Sequence, residues 1–396
     1  MVKLIDVTGK VVSGEWGNDD LVGNGIPVLR TTNFNNDGTI NYDNIVTRAI
    51  TKTKINDKYL LNGDILIEKS GGSDTKPVGR VVYFEGEEKK YLYNNFTGLL
   101  RIKDKKEWYP KYIFYSLYAN YKRGGTKIYQ NKTTGLHNLK TENYISSFCI
   151  KQIPLQEQVD ICNKLNRIKN IIDKKQLQLV EYAKLTHSLF VEMFGDTVIN
   201  PLGWEEHKLE EYIDFLTSGS RGWAKYFVNE ENELFLTIKN VKNNKIVLDD
   251  IQYIKAPKNK EAERTKVKCG DLLISITADL GRTGVIDKDI SSRGAYINQH
   301  LSLVRLDQNR INPQYISYYL ETDAGKRQFC SKNQNGVKAG LNFDAIKSLN
   351  IIVPPIELQD DFVKNIYFID KHKSVVQKSL DETQLLFDSL MQKYFG

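Results

Sequence analysis

Hydrophobic residues follow a helical pattern in two long stretches of the chain. Between residues 155 and 195, and again between 356 and 396, mostly apolar positions alternate spacings of four and three, without proline or internal glycine. This spacing lines one face of a helix and is typical of a coiled-coil seam. The seam positions are Ile161, Leu165, Ile168, Ile172, Lys175, Leu179, Tyr182, Thr186, Leu189 and Met193, then Phe362, Ile366, Ile369, Lys373, Val376, Leu380, Thr383, Phe387, Leu390 and Tyr394. We predict two long helices that pair with each other; packing into two separate cores is the alternative.

The rest of the chain has a β-rich pattern. Short apolar runs follow turns of glycine, asparagine or aspartate, as where Gly63 and Asp64 precede residues 65–67. Such runs are typical of strands that follow tight turns. Pro110 and Pro313 each begin a tyrosine-rich segment, and proline suits the first turn of a helix. These stretches therefore predict twisted sheets with short helices.

The same motifs occur twice in the same order. Equivalent residues lie 207 positions apart at Gly63 and Gly270, and 201 apart at Gly195 and Gly396. The other paired landmarks are Asn33 and Asn240, Leu100-Arg101-Ile102 and Val304-Arg305-Leu306, Pro110-x-Tyr112 and Pro313-x-Tyr315, and Pro154-Leu155-x-x-Gln158 and Pro355-Ile356-x-x-Gln359. A constant order with a slowly drifting offset indicates a duplicated module with small loop changes.

These patterns predict four consecutive regions. They are a domain at 1–152, a long helix at 153–198, a second domain at 199–353 and a second long helix at 354–396. The fold class is mixed α/β: two tandem domains, each with a twisted sheet and short helices, separated by two long helices that pair as a coiled coil.

Composition narrows the class of protein. The 396 residues are 40% hydrophobic and 27% charged, which is ordinary for globular domains. No apolar run reaches 18 residues, so we expect no membrane span. The four cysteines lack C-x-x-C spacing, which argues against a clustered zinc site or a disulfide scaffold. We expect a cytoplasmic protein.

The positive charge lies outside the long helices. Residues 155–195 hold six Lys/Arg and five Asp/Glu, and residues 356–396 hold five and seven, so of the formal net charge of +7 the two helices carry −1 and the rest of the chain carries +8. Two basic, glycine-bearing segments recur in both modules, at 70–80 and 121–135, and at 275–284 and 325–338. Lysine and arginine hold phosphates, and arginine also reads base edges. A solvated loop is the alternative for each segment, but their recurrence favours a polyanion surface.

Signatures of catalysis are missing from the sequence. There is no G-x-x-x-x-G-K-[ST] phosphate loop, no Asn/Asp-Pro-Pro-aromatic element, and the five histidines stand singly. We therefore expect no catalytic and no metal-binding residue in this chain.

The order of two β-rich domains and two long helices resembles the specificity subunit of type I restriction–modification systems. The likeness covers nearly the whole chain, and it includes Gly63-Asp64, Gly270-Asp271 and the start of the first helix at Pro154. The second helix departs from that pattern, with Leu358 where the first has Glu157. The resemblance implies that each domain recognises half of a split double-stranded DNA target. It implies that the helices form an antiparallel coiled-coil spacer and dock two adenine-N6 methyltransferase subunits. Antiparallel pairing of equivalent helices would give one chain a pseudo-two-fold axis. Restriction motor-nuclease subunits would join them, with S-adenosylmethionine, ATP and Mg²⁺ held on the partner subunits.

The candidate DNA-binding residues come from the basic segments and one tryptophan loop. We expect lysines to bind phosphates and arginines to be better suited to guanine, while the indole of the tryptophan could equally pack on its own domain. The candidates are Lys76, Arg80, Lys122, Arg123, Lys127 and Lys132 in the first module, and Arg221, Trp223, Arg282, Lys326, Arg327, Lys332 and Lys338 in the second.

Two other functions stay open at this point. One is a solitary DNA-binding regulator or decoy that does not direct modification. The other is an enzyme with an unrecognised active site in one of the domains.

Overall fold

The structure is a computed structural model that describes residues 1–51, 55–73, 75–133, 136–332 and 340–396, without the side chains of residues 132, 133 and 136. The chain forms two compact units. Unit 1 comprises Met1–Gln176 and Gln377–Gly396, and unit 2 comprises Leu177–Val376. Each unit thus combines one β-rich domain with part of both long helices. The predicted boundaries, which set each helix apart as its own region, describe the secondary structure rather than these units.

Unit 1 contains short strands, two short helices near its ends, one tyrosine-rich helix and the start of the first long helix. The strands are β1 (Val2–Lys3), β2 (Val12–Ser13), β3 (Asn18–Asp19), β4 (Ile26–Leu29), β5 (Val46–Ala49), β6 (Ile65–Glu68), β7 (Ser70–Gly72), β8 (Val81–Tyr83), β9 (Leu92–Tyr93), β10 (Thr97–Leu100), β11 (Gln130–Thr133), β12 (Leu136–Leu139) and β13 (Cys149–Ile150). The α-helices are α1 (Leu4–Thr8), α2 (Pro110–Lys122), α3 (Thr141–Ser147) and α4 (Leu155–Phe194). Three 3-10 turns occupy Thr31–Asn33, Asn56–Lys58 and Lys127–Tyr129.

The sheets of unit 1 are mainly antiparallel. The central sheet has the order β2-β10-β6-β8, and a second has the order β3-β5-β4-β9, in which β4 and β9 are parallel. Strands β11, β12 and β7 form a third sheet, and β1 pairs with β13. Every side chain of β6 is buried, because α2 and α4 cover one face of the central sheet and the second sheet covers the other.

Unit 2 repeats this plan with longer strands. Its strands are β14 (Glu206–Lys208), β15 (Ile213–Ser218), β16 (Phe227–Val228), β17 (Glu233–Leu236), β18 (Val241–Lys242), β19 (Asn244–Ile246), β20 (Gln252–Ile254), β21 (Leu272–Ser275), β22 (Thr283–Val285), β23 (Ala295–Ile297), β24 (Leu301–Leu306) and β25 (Asn350–Ile352). The α-helices are α5 (Lys260–Thr265), α6 (Lys288–Arg293), α7 (Pro313–Leu320), α8 (Asp323–Lys332), α9 (Phe343–Lys347) and α10 (Ile356–Phe395). The 3-10 turns are Leu209–Tyr212, Trp223–Tyr226 and Ile238–Asn240.

The central sheet of unit 2 has the order β15-β24-β21-β22-β19-β18, and a second sheet has the order β16-β20-β17-β23. As predicted, the helices α2 and α7 each begin at a proline, Pro110 and Pro313. The tyrosines two residues later are buried, and both hydroxyls donate to a backbone carbonyl before the long helix, Tyr112 to Lys151 and Tyr315 to Ile352.

The two long helices pair, as the heptads predict, and they do so in antiparallel fashion, as the family resemblance implies. In unit 1, Ile172 near the middle of α4 is buried, and the amine of Lys175 donates to the Ser379 carbonyl at 2.9 Å and to the Thr383 hydroxyl at 2.6 Å. In unit 2, the end of α4 meets the start of α10, where the rings of Phe194 and Phe362 lie 5.3 Å apart. The start of each helix therefore lies beside the end of the other. The seam is apolar at both ends and polar at Lys175.

The paired landmarks make the same contacts in both units, which confirms the duplication. Asp64 accepts two hydrogen bonds from Arg101 at 2.8 and 2.6 Å, and Asp271 accepts two from Arg305 at 2.7 Å each. Such bidentate contacts between arginine and carboxylate fix geometry as well as adding energy.

The glutamine at the start of each long helix has the same contacts in both units. Gln158 and Gln359 are fully buried, and each side-chain oxygen accepts from the backbone N–H just before the proline helix, from Tyr109 and Asn312. The repeated sequence motifs therefore hold the domain to its long helix.

Candidate nucleic-acid interface

One basic segment of each module, at 70–80 and at 275–284, begins at one end of the central sheet. In unit 1, β2 and β6 end where β10 and β8 begin, because Ser13 pairs with Gly98, and Glu68 with Thr97. We define the loop end of unit 1 as residues 14–17, 69–80 and 94–96. The same pairing in unit 2, Ser218 with Ser302 and Ser275 with Leu301, gives an equivalent loop end at 219–222, 276–282 and 298–300.

The two basic segments of unit 1 lie against each other. The hydroxyl of Thr126 donates to the Val78 carbonyl at 2.9 Å, and the amide of Gln130 donates to the same carbonyl at 3.2 Å. Tyr121 donates to the carbonyl of Pro77 at 3.1 Å. Segments separated by about fifty residues in sequence therefore form one surface.

The two basic segments of unit 2 lie against each other as well. The backbone N–H of Leu341 donates to the carbonyl of Ile276 at 3.0 Å, and Gly281 lies so close to Phe329 of α8 that a β-carbon there would overlap its ring. Unit 1 has the end of α2 and a 3-10 turn where unit 2 has α8. The modules therefore share a frame and differ in the parts that carry the basic residues.

Several predicted side chains are exposed and have neither a hydrogen bond nor an ion pair within the described part of the chain. They are Lys76, Lys122, Arg123, Lys127, Arg221, Lys326 and Arg327. Lys76 lies in a turn closed by the Ser73 hydroxyl, which accepts from its backbone N–H at 3.1 Å. Lys127 begins the 3-10 turn Lys127–Tyr129. Their positive charge is available to a ligand.

Three of these residues face grooves along the long helices. Lys122 and Arg123 line a groove of unit 1 together with Gln384 and Asp388 of α10. Arg327 lines the corresponding groove of unit 2, beside the last turns of α4. These cations are therefore less directly placed at the loop ends than Lys76 or Lys127.

Arg80 and Trp223 both have structural surroundings, and neither side chain is free on the surface. The guanidinium of Arg80 donates to the carbonyls of Phe34 at 2.7 Å and Thr31 at 2.9 Å, and it pairs with Glu68 at 3.3 Å. Its donors are thus used to hold the loop around residue 34. Burial raises the pKa of the Glu68 carboxyl, and Arg80 opposes that rise.

Trp223 is only 3% exposed, and its ring stacks on Phe235 at 5.5 Å between centroids and lies 5.4 Å from Tyr296. The indole therefore belongs to the core of the second sheet. The structure thus has the second alternative for this residue, in which the indole packs on its own domain.

The remaining candidates are partly engaged or lie outside the description. Arg282 pairs with Asp279 at 2.6 Å, but both side chains are exposed, and such surface pairs exchange readily. The amine of Lys332 donates to the Ser348 hydroxyl at 2.9 Å. Lys338 lies outside the described residues, and so does the side chain of Lys132.

Sequence reasoning missed the turn that precedes β10 and β24. Its residues are Asn95 and Phe96 in unit 1, both exposed, and Gln299 and His300 in unit 2, both half-buried. The signal was present, because these pairs directly follow the repeated asparagines Asn94 and Asn298 but differ from each other. Variation inside a repeated frame is expected where two modules bind different ligands.

Within the described ranges, no group of three His, Cys, Asp or Glu residues is placed to hold a metal ion. No helix in those ranges is both long enough and apolar enough to cross a membrane.

The chain matches known proteins over most of its length. The model of the type I restriction modification DNA specificity domain matches twice, at residues 2–182 and 201–380. The specificity subunit of the type I restriction enzyme StySPI from Salmonella potsdam is 23% identical over 394 residues, which covers 93% of this chain and 80% of that protein. The specificity subunit of EcoKI from Escherichia coli K12 is 22% identical over 391 residues, with the same coverage.

Two solved structures share the fold. The S subunit of a type I restriction–modification system from M. genitalium has a TM-score of 0.61 at 14% identity, covering 100% of this chain and 95% of that one. A chain from a structure that describes complex assembly and conformational transition of the type I R-M system has a TM-score of 0.55 at 14% identity, covering 100% and 96%. Two family domains in tandem, on a duplicated frame with antiparallel long helices, show that this chain belongs to the type I restriction–modification DNA specificity family.

Proposed function

We propose that this chain, as a DNA-recognition subunit of the type I family, binds an asymmetric bipartite double-stranded DNA target, with one half-site for each unit. The observation that carries the proposal is the pair of loop ends. Both are built on the same backbone frame, but they present different side chains, Asn95 and Phe96 in one and Gln299 and His300 in the other. Identical modules related by a two-fold axis would read a palindrome, whereas these modules should read two different sequences.

The proposed DNA contacts begin with the exposed cations nearest the loop ends. Lys76 and Lys127 in unit 1, and Arg221 and Arg282 in unit 2, are placed to meet phosphates or guanine edges. Lys326 and Lys332 on α8 extend the surface of unit 2. Because phosphate contacts carry no sequence information, residues in the turns before β10 and β24 should add the selectivity.

We further propose that the long helices set the spacing of the half-sites and dock two methyltransferase subunits. Equivalent leucines support this proposal: Leu185 on α4 is 48% exposed, and Leu386 on α10 is 50% exposed. Leu177 and Val180 on α4, and Leu385 on α10, are exposed as well. Helix surfaces that expose several large apolar residues are typical of protein interfaces. Modification would then be adenine-N6 methylation by those partner subunits, with S-adenosylmethionine held there. For restriction, motor-nuclease subunits would add ATP and Mg²⁺.

The deciding experiment is single-molecule methylome sequencing of a methylation-null host. The host carries the methyltransferase that is encoded next to this chain in the genome, either together with this chain or without it. We expect a split, asymmetric adenine-methylated motif only when this chain is present. If the complex assembles and no motif appears, the chain is a regulator or decoy. Methyl transfer or DNA cleavage by the purified chain alone would instead favour an enzyme with an active site of its own.

A domain exchange tests the division of labour between the units. Replacing residues 1–152 by those of another family member should change one half of the methylated motif and leave the other half and the spacing unchanged. A change in both halves, or in neither, would contradict the modular proposal.

A docking test uses the equivalent leucines. Leu185→Asp and Leu386→Asp should each weaken methyltransferase binding, because a carboxylate in an apolar contact must be desolvated. Ala183→Asp is the matched control, since Ala183 is also exposed but lies on the other side of the α4 seam. Pull-down of the methyltransferase by each variant measures the effect. Equal loss with Ala183→Asp would indicate damage to the helix pair and count against docking at the leucines.

A further inference from the structure

The turn before β24 contains a chain of hydrogen bonds through three side chains. The amide nitrogen of Gln299 lies 2.8 Å from Nε2 of His300, and Nδ1 of the same ring lies 2.6 Å from the hydroxyl of Thr277. The backbone N–H of His300 donates to the side-chain oxygen of Asn298 at 3.1 Å. Thr277 belongs to the loop after β21, so the chain joins two segments of the loop end of unit 2.

These contacts determine the direction of each hydrogen bond. An amide nitrogen can only donate, so Nε2 of His300 accepts from Gln299. The ring proton of the neutral imidazole is then on Nδ1, from which it is donated to the Thr277 hydroxyl. The amide plane of Gln299 is thereby fixed in orientation. Within the described part of the chain, the side-chain oxygen of Gln299 and its second N–H have no protein partner.

A fixed amide with one free acceptor beside one free donor matches one base. In the major groove adenine offers an N6–H₂ donor next to the N7 acceptor, and glutamine binds this pair through both groups. We infer that Gln299 reads an adenine in the half-site bound by unit 2, and this inference rests on the proposed function. His300 and Thr277 are positioning residues that hold the amide in its reading orientation before DNA arrives, which reduces the entropy lost on binding.

Unit 1 has the same backbone at this place without the side-chain relay. The N–H of Lys69 donates to the Phe96 carbonyl at 2.8 Å, as that of Ile276 donates to the His300 carbonyl at 3.0 Å. Phe96 is 49% exposed and its ring cannot accept a hydrogen bond from Asn95 as the imidazole of His300 does from Gln299. The inference therefore applies to one half-site only.

The test measures base selectivity of the assembled methyltransferase complex on duplexes that carry the methylome-defined motif. Each position of both half-sites is replaced in turn by the other bases. In the wild type, the preference for A·T over other base pairs at one position of one half-site should be about 5- to 150-fold. Gln299→Ala should lower that preference to near 1. Binding to unrelated DNA and discrimination elsewhere should stay within about twofold of the wild type. Gln308→Ala is the matched control, because Gln308 is an exposed glutamine just beyond the opposite end of β24.

A second variant tests the positioning role. His300→Phe, which installs the residue found at this place in unit 1, should reduce discrimination at the same position as Gln299→Ala. The double variant should show no further loss beyond Gln299→Ala, since both changes act through one amide.

Several results would overturn the inference. They are unchanged discrimination in Gln299→Ala, an equal loss in Gln308→Ala, a uniform loss on specific and unrelated DNA, or fully additive losses in the double variant. If the wild-type chain produced no methylated motif at all, that result would contradict the proposed function instead.

Discussion

Replacing the buried aspartate that precedes the central strand should destabilise unit 2 more than unit 1. Asp271→Ala and Asp64→Ala remove equivalent carboxylates, whose side chains are 1% and 3% exposed. Each carboxylate accepts from an arginine at the end of the neighbouring strand, Arg305 within β24 and Arg101 just after β10, and from the backbone N–H three residues earlier. The two arginines differ in the hydrogen-bond acceptors that they keep after the substitution.

The difference in magnitude follows from these remaining partners. Arg101 keeps hydrogen bonds to the carbonyls of Asp57 at 2.9 Å and Tyr59 at 2.7 Å. Within the described residues, Arg305 has no other hydrogen-bond acceptor than Asp271. Breaking a fully buried pair costs about 3–5 kcal/mol. The side chain of Arg305 is 24% exposed, so water can partly replace the carboxylate, and we expect a loss of about 3 kcal/mol in Asp271→Ala. Because two hydrogen bonds to the charged group persist, Asp64→Ala should cost about 1–2 kcal/mol.

Hydrogen exchange of the full chain measures both effects separately. Amides of β21 and β24 report the free energy of opening of unit 2, and those of β6 and β10 report that of unit 1. Each variant should lower protection in its own unit, and each therefore serves as the control for the other. A loss in Asp64→Ala equal to or larger than that in Asp271→Ala would refute the argument from the remaining hydrogen bonds.

Three further predictions concern the seam, the DNA surface and the thiols. Lys175→Leu should change the melting temperature little or raise it, because replacing a polar seam residue by a hydrophobic one is often neutral or stabilising; a large drop in a thermal scan would contradict this. Lys127→Ala should weaken the binding of all DNA sequences alike and reduce the slope of log affinity against log salt by about 0.9; loss at one base position only would contradict a phosphate contact. Burial raises the pKa of the Cys162 thiol to about 12, so at pH 8 iodoacetamide should modify the exposed Cys269 and spare Cys162 in the native chain, as read by mass spectrometry.

The candidate site could be predicted by region but only partly by residue. Recurrent basic segments indicated which loops to consider, since basic turns near glycines leave a local signal in the sequence, and the role of these loops in DNA binding stays a prediction. Arg80 illustrates the limit, because the carbonyls that it binds belong to residues more than forty positions away. Gln299 and His300 were not among the candidates from the sequence. Their proposed role in base reading depends on Thr277, a contact across 23 positions that no local pattern reveals.

The sequence by itself determined the duplication, the two long helices and the seam along which they pair, because periodicity and repeated motifs are properties of local order along the chain. It also indicated why Pro110 and Pro313 begin helices. Only the tertiary structure decided that each unit takes half of both long helices, and that Trp223 is a core residue. Burial, ion pairing and the direction of a side-chain hydrogen bond depend on which distant segments meet, and that outcome comes from the packing of the whole unit.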